Sequence, residues 1–388
     1  MLKVIKDKNQ LMWALVFAAA ATMTSVFVKL SLTTGDLLPG VDGAYYWVQV
    51  RSLLDNFSLA FDDLPLVFIA QTGLAVLFGD IQTAVRVSDA VLPALSAIPL
   101  FLMARESKSI VLPAVVILAV LINPIQLFYF TGDFIKNAAA IPLVFLLGWI
   151  LMIWDRVNKK VALVGIASIL GTLALSHFGT LLIGALILVL WVLLQLRDKP
   201  KQFWVKVIAA TLGFSGLVLL LLAVLVPSRF ERLVSVLGDP STIFAQPVWE
   251  SLIQGRMDLS SAFAVVFGQA AGLVLGLILW SRREALSFSH KSLVFSTILS
   301  ALFLSAPLLG NEWSGRLAAM AFVPITIAAL VLWGSSKRDV GQFALALLAG
   351  IAIFSSALML DTGPKSPVLN TSQYQDFLQL KAEFALPE

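Results

Sequence analysis

Apolar runs of about twenty residues, separated by short polar connections, recur along nearly the whole chain. A helix rising about 1.5 Å per residue needs about 20 mainly apolar residues to cross about 30 Å of hydrocarbon. Runs of this kind occupy 11–30, 83–104, 110–130, 138–154, 161–176, 179–196, 203–226, 260–280, 292–309, 317–334 and 341–360. They predict an all-α polytopic membrane protein with about eleven transmembrane helices. One further apolar stretch, 64–79 (LPLVFIAQTGLAVLFG), is short and follows Asp62, Asp63 and Pro65, so it reads as a re-entrant or interfacial helix. Residues 371–384 (TSQYQDFLQLKAEF) carry apolar positions at helical spacing and predict a short amphipathic helix.

Composition agrees with the pattern. Of 388 residues 59% are hydrophobic and 13% charged, with a mean hydropathy of +0.92; a soluble domain carries about a quarter charged residues. A soluble enzyme, a nucleic-acid reader and a disulfide-stapled secreted domain are set aside. The chain has no Cys and only two His, which excludes thiolate chemistry and Cys-liganded metal centres. No phosphate-cradling glycine loop follows a strand.

The positions of the charges orient the chain. If 64–79 does not cross the bilayer, 17 of the 27 Lys and Arg residues fall in alternate connections on one side, together with only 6 of the 23 acids. The positive-inside rule makes that side cytoplasmic. It places the N-terminus inside and the C-terminus outside, in a cell membrane. The apolar run to Lys29 has no clear cleavage site, so it reads as a retained anchor rather than a signal peptide. Residues 1–360 form the membrane module. The tail, 361–388, is expected outside, as the start of a further outer domain. The outer connections 31–82 and 227–259 are long and the cytoplasmic ones short, so chemistry is expected on the outer face, where the charged residues gather at the rim.

Within the first outer loop, Thr34-Gly35-Asp36-Leu37-Leu38-Pro39-Gly40-Val41-Asp42-Gly43-Ala44-Tyr45-Tyr46-Trp47 sets an acid before paired aromatics. Asp42 can serve as a general base for an acceptor hydroxyl or simply cap the next helix. Tyr45 and Tyr46 suit the headgroup level. In the second outer loop Asp133 and Lys136 can form an ion pair or a helix cap, or join Asp42 as partner acid and phosphate contact. Arg86 and Arg316 lie at the outer ends of spans, where arginine either snorkels to headgroups or grips phosphate with its planar fork. Glu312 shares the short loop of Arg316. His177, in the turn Ser176-His177-Phe178-Gly179, can donate to phosphate or stand as a plain interface residue. Asp62 and Asp63 offer carboxylates for a divalent metal, although adjacent acids in a solvated loop usually bind nothing; no cofactor is expected.

These residues resemble a family, the integral-membrane glycosyltransferases of the GT-C class. The similarity is closest to the branch of protein O-mannosyltransferases and the lipid A aminoarabinose transferase. It covers mainly 30–155: Asp42 before Tyr45-Tyr46, juxtamembrane helices over 45–56 and 64–79, a span opening with the pattern from Arg86 to Pro93, and a second acidic outer loop, Gly132-Asp133-Phe134-Ile135-Lys136-Asn137. The resemblance implies a transferase taking a sugar from a polyprenyl-phosphate donor in the bilayer to a protein, lipid or glycan acceptor outside, with inversion. By the same carry-over, Asp42 is the base, with Asp133 as its partner acid. Tyr45, Tyr46, Arg86, Lys136, His177, Glu312 and Arg316 become substrate-binding candidates, and nucleic acid is no partner. The first loop lacks the Glu that some members carry beside the acid, so no metal requirement carries over. The competing readings are a lipid-linked-glycan transporter or flippase, a non-catalytic subunit of a glycan-assembly complex, and a lipid-linked polymerase or ligase.

Overall fold

A computed structural model describes residues 8–31, 43–104, 120–122, 124–131, 134–197, 226–239, 247–254, 259–310 and 316–335, with isolated positions between 200 and 244 and at 379. The elements in chain order are α1 (Lys8–Ser31), α2 (Gly43–Asn56), α3 (Leu66–Phe78), α4 (Ile81–Ala94), α5 (Ala97–Ala104), α6 (Pro124–Thr131), α7 (Ile135–Met152), α8 (Lys159–Ser176) and α9 (Phe178–Leu196). They continue with α10 (Pro227–Gly238), α11 (Val248–Ile253), α12 (Leu259–Arg282), α13 (Phe288–Leu304) and α14 (Phe322–Ser335). Among the described residues the only β-pairing is an isolated bridge between Pro247 and Gly310.

Six described helical stretches are long and apolar enough to cross a membrane: Ile81–Ala104, Ile135–Met152, Lys159–Ser176, Phe178–Leu196, Ala264–Arg282 and Arg316–Trp333. The chain is thus an all-helical, polytopic membrane protein. Of the eleven expected spans, 341–360 and most of 110–130 and 203–226 lie outside the described residues. Helix α3 has 13 residues, about 20 Å of rise, which is too short to cross. It begins after Pro65 and ends at Gly79, whose φ of 71° is a left-handed helix stop that glycine adopts without strain. Pro93 and Pro99 lie on either side of the turn between α4 and α5, where the missing N–H groups break the helical ladder.

Helix α7 is the centre. It packs on α4, α5, α8, α9, α13 and α14, so its apolar residues are buried on most of its circumference rather than on one stripe. Small residues set the closest approaches. A Cβ on Gly148 of α7 would sit 2.8 Å from Ile327 of α14, and one on Gly268 of α12 only 2.5 Å from the Ser305 side chain. Across that second contact Gln269 Nε2 donates to Leu302 O at 2.8 Å and Ser305 Oγ at 3.0 Å. Close backbones and interhelical polar bonds are how helices associate where lipid tails compete for apolar contact.

Candidate functional site

Helices α2 and α3 fold back on one another and on α4, forming a small aromatic core of Tyr46, Val50, Val67, Phe68, Ala84, Val85 and Ile135. Ile135 and Lys136 belong to the first turn of α7, so residues from the first and second outer loops share this core. A buried polar knot sits against it. Gln49 of α2, fully buried, clamps the return of the chain by accepting from Phe61 N–H at 3.0 Å and donating to Phe61 O at 2.8 Å. Its amide also donates to Tyr45 Oη at 2.9 Å, and Tyr45 donates onward to Asp63 Oδ2 at 2.5 Å.

Asp63, 3% exposed, is the centre of the knot. Besides Tyr45 it accepts the Lys136 ammonium on Oδ2 and the Leu64 N–H on Oδ1, the last at 2.7 Å. A buried carboxylate is tolerated only when it is paired and hydrogen-bonded in this way. The Lys136 ammonium also stands 5.3 Å from the Phe68 ring centre and 5.7 Å from that of Tyr45, within cation–π range. Tyr46 Oη accepts from the Lys136 backbone N–H at 3.4 Å. Three of the expected substrate-binding residues, Tyr45, Tyr46 and Lys136, are therefore together. The described ion-pair partner of Lys136 is Asp63, from the first loop.

The neighbours of Asp63 extend the junction. Asp62 Oδ2 accepts from Ser228 N–H at 3.1 Å, in the first turn of α10, where a negative charge complements the helix dipole. Leu64 forms a cluster with Leu222 and Val226, against which Phe178 and Phe230 pack. Thus Asp63 and Asp62 bond to the second and fourth of the expected outer loops, and Phe178 of the third packs against the cluster of Leu64. The carboxylates read from sequence as a possible metal pair bond instead to separate protein donors. Among the described residues no group of three or more His, Asp or Glu side chains forms a metal-binding cluster. The fourth loop reaches the segment that follows α13, with Val248 N–H donating to Leu309 O at 2.9 Å and Trp249 N–H to Pro307 O at 3.1 Å.

The other candidates are placed as follows. His177 caps α9: Nδ1 accepts from Thr180 N–H at 3.1 Å and lies 2.8 Å from Thr180 Oγ1. Accepting on Nδ1 puts the proton of a neutral ring on Nε2. Its neighbour Phe178 packs against the cluster of Leu64, Leu222 and Val226. Arg86 has its Nε buried on α4 and exerts a favourable field on Asp80. Asp80 caps α4 by accepting from Thr83 N–H at 2.7 Å. Its bonds to Thr83 hold its carboxyl below the ordinary 3.8. Arg316 is exposed at the start of the last described span. No described contact joins Arg86, Arg316 or the His177 ring to the knot. Asp42, Asp133 and Glu312 lie outside the described residues.

Two ionisable side chains are buried between α1 and α4. Lys29 of α1 and Asp89 of α4 are 1% and 2% exposed, on two helices that pack together. Thr22 Oγ1 meets Ala94 O at 3.5 Å, which fixes the antiparallel register. Asp89 lies eight residues into α4, about 12 Å along it, so not every charge sits at the rim. A lysine closing the apolar run of an anchor, with an acid in the next span, was the available signal. No family model matches the chain, and no curated protein matches it either.

Proposed function

We propose that the protein is a glycosyltransferase that moves a sugar from a polyprenyl-phosphate donor to an acceptor on the outer face of the membrane, with inversion. One observation carries most of the reading. Tyr45 and Lys136, each three residues after an expected catalytic acid (Asp42 and Asp133), bond to the same oxygen of Asp63. The two loops singled out by the family resemblance are thus neighbours, although 73 residues separate Asp63 from Lys136.

In this reading the Asp42 carboxylate takes the proton of the acceptor hydroxyl, and the freed oxygen attacks the anomeric carbon. The bond from that carbon to the phosphate oxygen breaks, and polyprenyl phosphate leaves with the electron pair. Charge gathers on the departing phosphate, so a cation already in place lowers the barrier. Lys136 has that role, with Arg86 and Arg316 at the rim as further phosphate contacts. The aromatic core under α2 and α3 supplies a rigid floor at headgroup level, and the N-terminus is cytoplasmic. The test is a panel of polyprenyl-phosphate sugars given to the full chain in lipid: free polyprenyl phosphate should appear in step with transferred sugar, the product having the opposite anomeric configuration. Hydrolysis-level background with every donor would refute the proposal.

The Lys29–Asp89 pair favours a second reading, a flippase for lipid-linked glycans, because buried ionisable groups in spans often serve transport. Transbilayer movement of a labelled donor in proteoliposomes, without release of its phosphate, would select it.

A further inference from the structure

Resting on the transferase reading, we infer that Asp63 is a positioning residue: it holds the Lys136 ammonium in place for the phosphate of the departing lipid. Asp63 stands in the irregular segment between α2 and α3, where an acid would ordinarily be solvated, yet it is 3% exposed. Its oxygens are committed to donors of the protein itself: Leu64 N–H on Oδ1, Tyr45 Oη and Lys136 Nζ on Oδ2. A carboxylate so engaged is poorly placed to act as a base or to ligate a metal, and its chemical effect passes through Lys136.

A lysine on a flexible four-carbon stem loses rotamer freedom when it grips a ligand, and that loss weakens binding. Here the loss is incurred on folding. The carboxylate takes one of the three ammonium donors, and the Phe68 and Tyr45 rings bound the charge at 5.3 and 5.7 Å. The Lys136 side chain keeps 12% of its surface exposed, so it stands at the margin of the knot rather than wholly inside it. Tyr45 is itself held by Gln49, which extends the support back into α2. Asp62, next in sequence, serves α10 instead. The two acids of the pair therefore have separate tasks.

The test uses the full chain in lipid nanodiscs and polyprenyl phosphate without sugar as the probe, with retention read by native mass spectrometry. Lys136→Gln and Asp63→Asn are each expected to weaken retention by about tenfold or more, the usual cost of a lost charge-assisted contact. The double variant should fall within about twofold of Lys136→Gln alone, because Asp63 acts only through Lys136. If Asp63→Asn does not fold, Tyr45→Phe replaces it: retention should drop in the native background and stay unchanged in the Lys136→Gln background. Native retention in Asp63→Asn, independent additive losses in the double variant, or no retention by the unaltered protein would overturn the inference. Retention that depends on Asp63 without sugar transfer from any donor would sink the transferase reading alone. Transfer with retention indifferent to Asp63 would sink the positioning role alone.

Discussion

At His177 the ring, which reads from sequence as a phosphate donor or a plain interface residue, uses Nδ1 to cap the first turn of α9, accepting from Thr180 N–H. An N-cap of this kind is worth about 0.5–2 kcal/mol. His177→Asn, which keeps a capping side chain, should leave the melting temperature and transfer rate near native, whereas His177→Ala should lower the melting temperature. A large loss of transfer in a well-folded His177→Asn protein would return the ring to the reaction. Asp80 gives a prediction in pH. Its carboxyl is held below 3.8 by Thr83, so its stabilising effect is complete above that value and disappears as pH falls through the folded-state pKa. Asp80→Asn retains a cap without a charge. The melting-temperature advantage of the native protein over Asp80→Asn should therefore shrink below about pH 4; an advantage that is flat or grows on acidification would contradict this. The Ser-His-Phe-Gly-Thr stretch did contain the cap signal, a polar residue three before Thr180. The Asp63–Lys136 pair was not legible, because nothing local in the sequence directs a lysine to an acid 73 residues upstream.

Among the elements, α3 was readable because its length and its bounding Pro65 and Gly79 are local properties. Which faces meet was harder to read. Helices α7 and α14 are apolar nearly all round, so periodicity cannot say which side meets which neighbour. Only the small residues mark the contacts, and Gly268 is the sharpest case. Its contact atoms, Ser305 Cβ and Oγ, lie close to the backbone and have little room to yield. Gly268→Ala should destabilise the packing of α12 on α13 by about 1–3 kcal/mol, read as a lower melting temperature in detergent. Gly276, with no atom near its would-be Cβ, should accept Ala with little change. Equal tolerance at both positions would refute the packing described here. Buried Lys29 and Asp89 belong to this scale too: apolar-run counting treats α1 and α4 as separate spans and is blind to ionisable groups buried on helices that pack together.

For the whole molecule, the distribution of basic residues makes a claim about sidedness, and the absence of cysteine makes it directly testable. Phe57, 92% exposed where α2 ends, lies on the expected outer side, and exposed Lys159 at the start of α8 on the inner. A membrane-impermeant maleimide should label Phe57→Cys in intact cells and Lys159→Cys only after permeabilisation; the reverse pattern would invert the topology. Convergence of the loops at Asp62, Asp63 and Leu64 agrees with one working face, and it is a property that hydropathy alone does not encode. Composition and run lengths led to the membrane class. The proposed chemistry rests on a resemblance, which makes Asp42 the base, and on the knot that joins two loops. The most direct measurement compares release of polyprenyl phosphate from its sugar-linked form by the native protein and by Asp42→Asn, both reconstituted in lipid with matched melting temperatures. Release with at least one donor is expected, with its loss, by about a hundredfold or more, in the variant; undiminished release by Asp42→Asn would refute Asp42 as the base.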